Sequence, residues 1–107
     1  VNLMKPTAIL LNYGRGGTVN EEAVAAAIND DRLRGAGFDV FAEEPIPSTH
    51  PFFKLPADKR AKIFLTAHVA GQTTDSKKRN FSIALSNVDR VASGERPLHE
   101  LRYKGSP

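Results

Sequence analysis

Three short apolar segments, each followed by turn-forming residues, mark the first part of the chain. They are residues 8–11 (AILL), 37–41 (GFDVF) and 63–66 (IFLT). Apolar residues follow one another here instead of alternating with polar ones, a pattern typical of strands buried on both faces of a parallel sheet. We therefore predict three parallel strands.

A helix is predicted between the first two strands. Asn20 is a good N-cap, and Glu21 and Glu22 suit the positive end of a helix dipole. The helix has one apolar face, formed by Val24, Ala27 and Ile28. The first part of the chain therefore predicts a strand-helix-strand unit.

The second connection differs, because residues 45–56 (PIPSTHPFFKLP) hold four prolines and cannot form a regular helix. A long ordered loop of this kind is usually functional or covers part of the fold.

A longer helix is predicted after the third strand, with Thr74 or Asp75 as its cap and Gly94 as its end. Its apolar residues recur at helical spacing, which indicates a packing surface. They are Phe81, Ala84, Leu85, Val88, Val91 and Ala92.

The order β-α-β-loop-β-α predicts an α/β fold, the C-terminal half of a doubly wound, Rossmann-like parallel sheet. Three strands with one good crossover helix leave an edge and a face uncovered, so we expect a fragment whose missing half lies upstream. Residues 1–94 are assigned to this half-domain, and residues 95–107 are predicted to be an irregular tail.

Composition narrows the class of protein. The 107 residues are 40% hydrophobic and 25% charged, without cysteine, which is the balance of a soluble globular domain and excludes disulfides and thiolate metal sites. We expect no metal site, and no apolar run approaches the roughly 20 residues of a membrane helix. The net charge of +3 is scattered, so nucleic acid is not an expected partner. A cytoplasmic protein is predicted.

The segment LLNYGRGGTVNEEAV, residues 10–24, passes from a strand through a glycine-rich turn into a helix. It does not match G-x-G-x-x-G, because the third glycine is misplaced, and no Gly-Lys-Ser/Thr follows for a Walker loop. The turn is either a flexible connection or a device that presents Arg15.

Arg15, Glu44 and His68 each follow one of the three strands, and open parallel sheets bind ligands at this edge. A guanidinium can hold a carboxylate through two hydrogen bonds, an imidazole can exchange a proton near neutral pH, and a carboxylate can orient that imidazole. Together they suit an acid-base site for an anionic substrate. An exposed loop arginine, an acid in a polar turn and a loop histidine bonded to backbone remain the alternatives.

The sequence resembles the C-terminal part of the D-isomer-specific 2-hydroxyacid dehydrogenases, from about Leu3 to Pro97. The resemblance rests on MKPTAILLNYGRGGTVNEEAV, GAGFDVFAEEP, HPFFKLP and LTAHVAG, in that order. One departure is Ala67, where the family commonly has proline before the histidine, and this loosens the backbone there.

The resemblance implies that Arg15 binds the substrate carboxylate and the reacting carbonyl oxygen, that His68 is the acid-base residue and that Glu44 hydrogen-bonds His68. Glu43 is expected to face solvent, and the glycines are expected to bring the turn close to the nicotinamide. The nicotinamide end would be lined by Tyr13, Gly14, Arg15, Asp39, His68, Ala70 and Gly71. Turnover of the full-length protein is expected to tolerate replacement of His50 or His99 by alanine.

The resemblance implies a two-domain enzyme, homodimeric as the full-length protein, that transfers a hydride between NAD or NADP and a 2-keto acid or D-2-hydroxy acid. The isolated chain is expected to be inactive, because the family's glycine-rich pyrophosphate loop and most of its substrate domain lie upstream of these motifs. A dinucleotide-sensing regulator, like the corepressors of this family, is the alternative. The absence of a basic or partner-binding tail favours the enzyme.

Overall fold

The structure, a computed structural model, describes residues 1–101. The chain divides into two compact units, Val1–Ala70 and Gly71–Pro107. The first unit holds strands β1 (Ile9–Asn12), β2 (Gly35–Phe38) and β3 (Ile63–Leu65), helices α1 (Glu21–Asn29) and α2 (Ala57–Arg60), and a 3-10 helix (Pro51–Lys54). The second holds helix α3 (Thr74–Ala92).

The three strands form a parallel sheet in the order β1-β2-β3, which confirms the predicted α/β class. Leu11 is level with Gly37, which is level with Phe64. The middle strand begins two residues earlier than predicted and ends at Phe38. Its small residues are tightly packed, because a Cβ on Gly37 would lie 2.8 Å from Leu11 Cδ2.

Helix α1 begins where the sequence predicted, since the Asn20 side chain accepts a hydrogen bond from the Ala23 amide at 2.8 Å. Its apolar face packs on the sheet and on the proline-rich segment. The buried residues of this core include Val24, Ala27, Ile28, Leu33, Phe38 and Phe52. Burying an aliphatic or aromatic side chain of this size contributes about 1.5–3 kcal/mol, so this face supplies much of the unit's stability.

The proline-rich segment is ordered and covers part of the core, as expected. It contains one turn of 3-10 helix, and Phe52 on that turn is fully buried, 5.0 Å from Phe38 between ring centroids. The other face of the sheet is open, because Ile9, Leu11 and Phe64 are each more than half exposed. An uncovered face was expected of a half-sheet.

In the second unit, α3 is capped by Thr73, so both predicted caps, Thr74 and Asp75, were placed too late by one and two residues. The Thr73 hydroxyl oxygen accepts from the Ser76 amide at 3.2 Å. Gly94 follows the helix with a φ of +77°, as a stop residue should. The apolar stripe predicted to pack is exposed within the described residues; Phe81, for example, is 71% exposed. Residues 95–101 form no helix or strand, and the rest of the predicted tail lies outside the described residues.

Within the part of the chain that is described, no helix has the length and apolarity needed to cross a bilayer.

A carboxylate at the end of α1 ties that helix to the segment before β3. Asp31 accepts from Lys59 of α2 and, at 2.6 Å, from Lys62. The two lysine hydrogen bonds lower the pKa of Asp31 to about 2, from an ordinary 3.8. Asp31 has a φ of 55°, which asparagine also adopts readily, so Asp31→Asn changes the charge and keeps the backbone.

We expect Asp31→Asn to lower the Tm at pH 7 by a few degrees. Because the folded pKa is lowered, the carboxylate's contribution is complete above the unfolded pKa and is lost as pH falls toward 2. Thermal melts between pH 2 and 7 should therefore show a shallower acid dependence in the variant. Asp30→Asn, at the neighbouring exposed pair with Arg32, is the control and should keep the wild-type acid dependence.

Candidate active site

Three loops leave the carboxyl edge of the sheet, one from each strand. Residues 13–17 follow β1, residues 39–44 follow β2, and residues 66–70 follow β3. Ligands of open parallel α/β sheets bind outside this edge. The residues singled out in the sequence all lie on these loops, except Gly71, which is the first residue of the second unit.

His68 and Glu44 are in direct contact. His68 Nδ1 lies 2.8 Å from Glu44 Oε2, and the other oxygen of Glu44 accepts from the Phe41 amide at 2.9 Å. The hydrogen bond from His68, followed by that from Phe41, lowers the pKa of Glu44 below its ordinary value, so Glu44 is a carboxylate at neutral pH. Glu43 is exposed, as expected.

This contact fixes the protons of the imidazole. A carboxylate only accepts hydrogen bonds, so Nδ1 of His68 must carry a proton. Nε2 is then the nitrogen that can exchange a proton with a bound molecule. The ring is half exposed, with 50% of the His68 side chain accessible, which leaves it open to a ligand.

Asp39 organises the loop that carries His68. Its Oδ1 accepts from Thr66 Oγ1 at 2.6 Å and from the Val69 amide at 2.8 Å, and its Oδ2 accepts from the Ala70 amide at 2.9 Å. The His68 amide bonds to the Asp39 carbonyl at 2.8 Å. The Thr66 hydroxyl is the main cause of a lowered pKa at Asp39. The loop is thus held around a buried carboxylate although Ala67 stands where proline was expected.

The glycine-rich turn is built on Asn12. This buried side chain accepts from the Gly14 amide at 3.3 Å and donates to the Arg15 carbonyl at 3.4 Å. The Thr18 hydroxyl donates to the same carbonyl at 2.6 Å. The Arg15 guanidinium is exposed and donates to the Gly14 carbonyl at 3.2 Å. The backbone of the turn is therefore fixed while the arginine head faces outward.

The structure shows why position 16 of the glycine-rich turn must be glycine. A Cβ there would lie 1.8 Å from the Phe41 carbonyl oxygen, so only glycine permits this approach between the loops after β1 and β2. From the family resemblance we expected the glycines to allow a close approach to the nicotinamide. At Gly16 the close neighbour is instead the backbone of this chain, at Phe41. The contact joins the loop of Arg15 to the loop of Glu44.

Two hollows open beside these loops. The larger, about 580 Å³, has His68 and Glu44 in its wall together with apolar residues such as Phe53 and Leu65. A smaller one of about 200 Å³ lies at the open sheet face and is lined by Tyr13, Asp39, Phe64, Ala70 and others. Three of the predicted cofactor-lining residues, Tyr13, Asp39 and Ala70, therefore share one hollow.

Residues 1–70 match the family model described as D-isomer specific 2-hydroxyacid dehydrogenase, NAD binding domain. The chain belongs to this family. A glyoxylate reductase of Thermofilum pendens is 36% identical over 94 residues, which are 88% of this chain and 26% of that protein. An (S)-sulfolactate dehydrogenase of Chromohalobacter salexigens is 39% identical over 88 residues, 82% of this chain and 27% of that protein.

Among solved structures, an NADPH-dependent glyoxylate/hydroxypyruvate reductase of Sinorhizobium meliloti, in complex with NADP and sulfate, superposes with a TM-score of 0.66 at 26% identity. The match covers 89% of this chain and 28% of that one. The chain thus spans about a quarter of the length of these family members.

The family's motifs account for His68, Glu44 and Arg15, but the sequence did not reveal the residues that support them. Asn12 and Thr66 stand at the ends of β1 and β3, and each holds a loop through its side chain. Asparagine two residues before a glycine turn is a known signal for such a turn, so Asn12 could have been found. No comparable signal marks Thr66.

The expectation that turnover tolerates replacement of His50 stays a prediction, but the structure gives this residue a role in stability that the sequence did not indicate. Its side chain is buried, contacts Glu21 Oε2 at 2.9 Å, and accepts at Nδ1 from the Phe52 amide. Removing the ring would leave a cavity among aromatic neighbours and a buried carboxylate without its partner, so a loss of stability follows. His99 is exposed, and its expected tolerance stays a prediction.

Proposed function

We propose that this chain contributes the acid-base pair and the substrate-binding arginine of an NAD(P)-dependent dehydrogenase that interconverts 2-keto acids and D-2-hydroxy acids. The whole enzyme, in this proposal, joins the chain to the remaining cofactor-binding segment and to a substrate domain. The observation that carries the proposal is the 2.8 Å contact between His68 Nδ1 and the Glu44 carboxylate, which leaves Nε2 free for proton transfer.

The residues beside the smaller hollow fit the nicotinamide end of the cofactor. The hollow is mostly apolar, with Leu11, Tyr13 and Phe64 in its wall, and it lies at the carboxyl edge where such folds bind nucleotides. A flat, weakly polar ring suits such a surface. We propose that the nicotinamide end lies against this hollow, beside Tyr13, Asp39 and Ala70, with Gly14, Arg15 and His68 on the adjoining loops and Asp39 acting through the loop it holds. Bound NAD(P)H would supply the hydride.

In the reductive direction, protonated His68 donates its Nε2 proton to the carbonyl oxygen of the keto acid as negative charge develops there. Glu44 stabilises the imidazolium before the transfer, because its carboxylate accepts from Nδ1. Arg15 pairs with the substrate carboxylate and polarises the carbonyl. Oxidation of the hydroxy acid reverses these steps, with neutral His68 accepting the hydroxyl proton.

Similarity to glyoxylate and hydroxypyruvate reductases and to an (S)-sulfolactate dehydrogenase supports a small anionic substrate. We propose no activity for the isolated chain, because the glycine-rich loop expected to hold the pyrophosphate is not among its motifs. Steady-state reduction of glyoxylate, hydroxypyruvate and pyruvate by the whole enzyme, with NADH and with NADPH, tests the proposed reaction. Failure with all three acids and both cofactors would contradict it.

Glu44→Gln tests the pairing within the whole enzyme. The amide keeps the shape but removes the charge that stabilises protonated His68, so the falling limb of the keto-acid reduction profile should move to lower pH. Turnover on the alkaline side should drop by about tenfold. The measurement is kcat/KM from pH 5 to 10. Glu43→Gln, an exposed neighbour, should leave the profile in place, and a profile unmoved in both variants would rule out the pairing.

A further inference from the structure

A second histidine-carboxylate pair lies beside the first and is buried. Glu21, the first residue of α1, uses both carboxylate oxygens: Oε1 accepts from the Ala42 amide at 2.8 Å, and Oε2 contacts His50 Nε2 at 2.9 Å. The side chains of Glu21 and His50 are only 10% and 6% exposed. A buried charge of this kind needs a reason, because its desolvation is costly.

The protons of this pair are determined by the neighbouring backbone. His50 Nδ1 accepts from the Phe52 amide at 3.3 Å, so Nδ1 carries no proton. The ring is therefore the neutral form with its proton on Nε2, which donates to Glu21. Both oxygens of Glu21 then accept from fixed donors, and the carboxylate is held rigidly against the loop after β2.

That loop is the one that carries Glu44. Phe41 and Ala42 are consecutive, and their amides point to different carboxylates: the Phe41 amide bonds to Glu44, and the Ala42 amide bonds to Glu21. Gly16 packs against the Phe41 carbonyl from the loop after β1. The position of the Glu44 carboxylate thus depends on a turn whose second residue is anchored by Glu21.

We propose that Glu21 is a positioning residue for the His68–Glu44 pair, acting through the Ala42 amide, with His50 fixing the second oxygen of its carboxylate. The positioning itself concerns only the Glu44 carboxylate. Its consequence for turnover rests on the proposed function. The network gives the proline-rich segment a role in the site, because His50 brings that segment to the loop of Glu44.

Glu21→Gln is expected to break this network, because glutamine has fewer acceptors than there are donors facing it. Glutamine offers one acceptor and one NH2 group, whereas the Ala42 amide and His50 Nε2–H both donate. If the ring changes tautomer to accept from the NH2 group, Nδ1–H then faces the Phe52 amide. In each arrangement one hydrogen bond is lost, although the volume of the side chain is kept.

The measurement is a pH titration of the Glu44 carboxyl group in the 107-residue chain, monitored by side-chain 13C NMR. The lost hydrogen bond loosens either the Ala42 anchor or the His50 contact that holds the second atom of the side-chain head, so the hydrogen bonds that lower the pKa of Glu44 should weaken and this pKa should rise toward its ordinary 4.5. Removing the charge of Glu21 would by itself lower the pKa of Glu44, because a neighbouring negative charge disappears. The sign of the change therefore separates positioning from simple charge removal. Asp39, whose charge raises the pKa of Glu44, is unchanged in the experiment.

Glu22→Gln is the matched control, since Glu22 is the next residue of the same helix, is exposed and lines the same recess as Glu21. It removes an equal charge without touching the network, and the pKa of Glu44 should stay or fall slightly. A pKa of Glu44 that stays or falls in folded Glu21→Gln as well would overturn the proposal.

Two substitutions of His50 provide an independent test if Glu21→Gln does not fold. His50→Gln retains a donor at the place of Nε2, whereas His50→Asn retains an acceptor at the place of Nδ1 and cannot reach Glu21. We expect a raised pKa of Glu44 in His50→Asn but not in His50→Gln. Equal values in the two variants would contradict the proposal.

The NMR result does not depend on turnover, so it separates this proposal from the proposed function. In the whole enzyme, Glu21→Gln should move the falling limb of the pH profile in the same direction as Glu44→Gln, by less. If Glu44→Gln leaves the profile unmoved while the titration of Glu44 responds to Glu21→Gln, the positioning stands and the proposed role of the pair fails. If the titration does not respond, the positioning fails whatever the kinetics show.

Discussion

His68→Ala in the whole enzyme is expected to reduce kcat for keto-acid reduction by roughly a hundredfold or more, the usual scale for removal of a general acid-base group. Nε2 of His68 is the free nitrogen of the pair, and alanine has no group that could deliver its proton. The half-exposed ring is removed without opening a cavity in the core, so the Tm should fall only by the cost of placing alanine at the φ of 54° found there. Steady-state assays of NADH oxidation measure kcat, and a thermal melt measures the Tm.

His99→Ala is the control for this experiment, because His99 is exposed and lies outside the strand-end loops. Its turnover should match the wild type. His50→Ala should give a different result, with a lower Tm, because the ring is buried against Glu21 and Phe52. A His68→Ala variant that keeps more than about a tenth of wild-type kcat would mean that another group supplies the proton.

Much of the fold could be predicted because local signals and the tertiary structure agree. Asn20 combines a capping side chain with a following apolar face, so the start of α1 was found. The cap of α3 was placed too late because Thr73 and Thr74 are both able to accept at a helix start. The middle strand was displaced because Gly35 and Ala36 carry little hydrophobicity, yet they fit its crowded position between two neighbours.

The candidate site, like the fold, could be predicted from the sequence only in part. The loops after the three strands carry Arg15, Glu44 and His68, and parallel strands bring such loops to one edge, so a shared site could be predicted. The hydrogen bond between His68 and Glu44 was predicted only from the resemblance to the family. The contacts that support this pair could not be predicted from the sequence. Glu21 contacts Ala42 and His50 at sequence separations of 21 and 29, and no periodicity in the sequence links residues so far apart. The structural role of His50 was missed for this reason, because the sequence only places it in a proline-rich loop.

The departure at Ala67 shows why a motif alone is an incomplete guide. Proline would restrict the backbone before the histidine, and its absence predicted a looser loop. The Asp39 carboxylate instead holds the loop by three hydrogen bonds, and His68 adopts a φ of 54° within it. Tertiary hydrogen bonds thus supply the restraint that the local sequence lacks.

Arg15→Lys in the whole enzyme is expected to raise KM for the keto acid and to lower kcat. Lysine keeps the positive charge but not the planar fork that forms two parallel hydrogen bonds to a carboxylate. Loss of one charge-assisted hydrogen bond of about 1.5–3 kcal/mol corresponds to roughly a ten- to hundredfold fall in kcat/KM. Because the Arg15 backbone is held by Asn12 and Thr18, the turn itself should be unchanged.

Cofactor affinity distinguishes this role from the alternative in which the glycine-rich turn cradles a phosphate. If Arg15 presents its side chain to the substrate, the NADH dissociation constant from fluorescence titration should stay within about twofold of the wild type, since no phosphate contact is lost. A phosphate-binding turn predicts the reverse, weak NADH binding with nearly normal keto-acid kinetics. Arg34→Lys, an exposed arginine just before β2, is the matched control and should change neither quantity. A collapse of NADH affinity in Arg15→Lys, with KM for the keto acid unchanged, would reassign the turn to the cofactor.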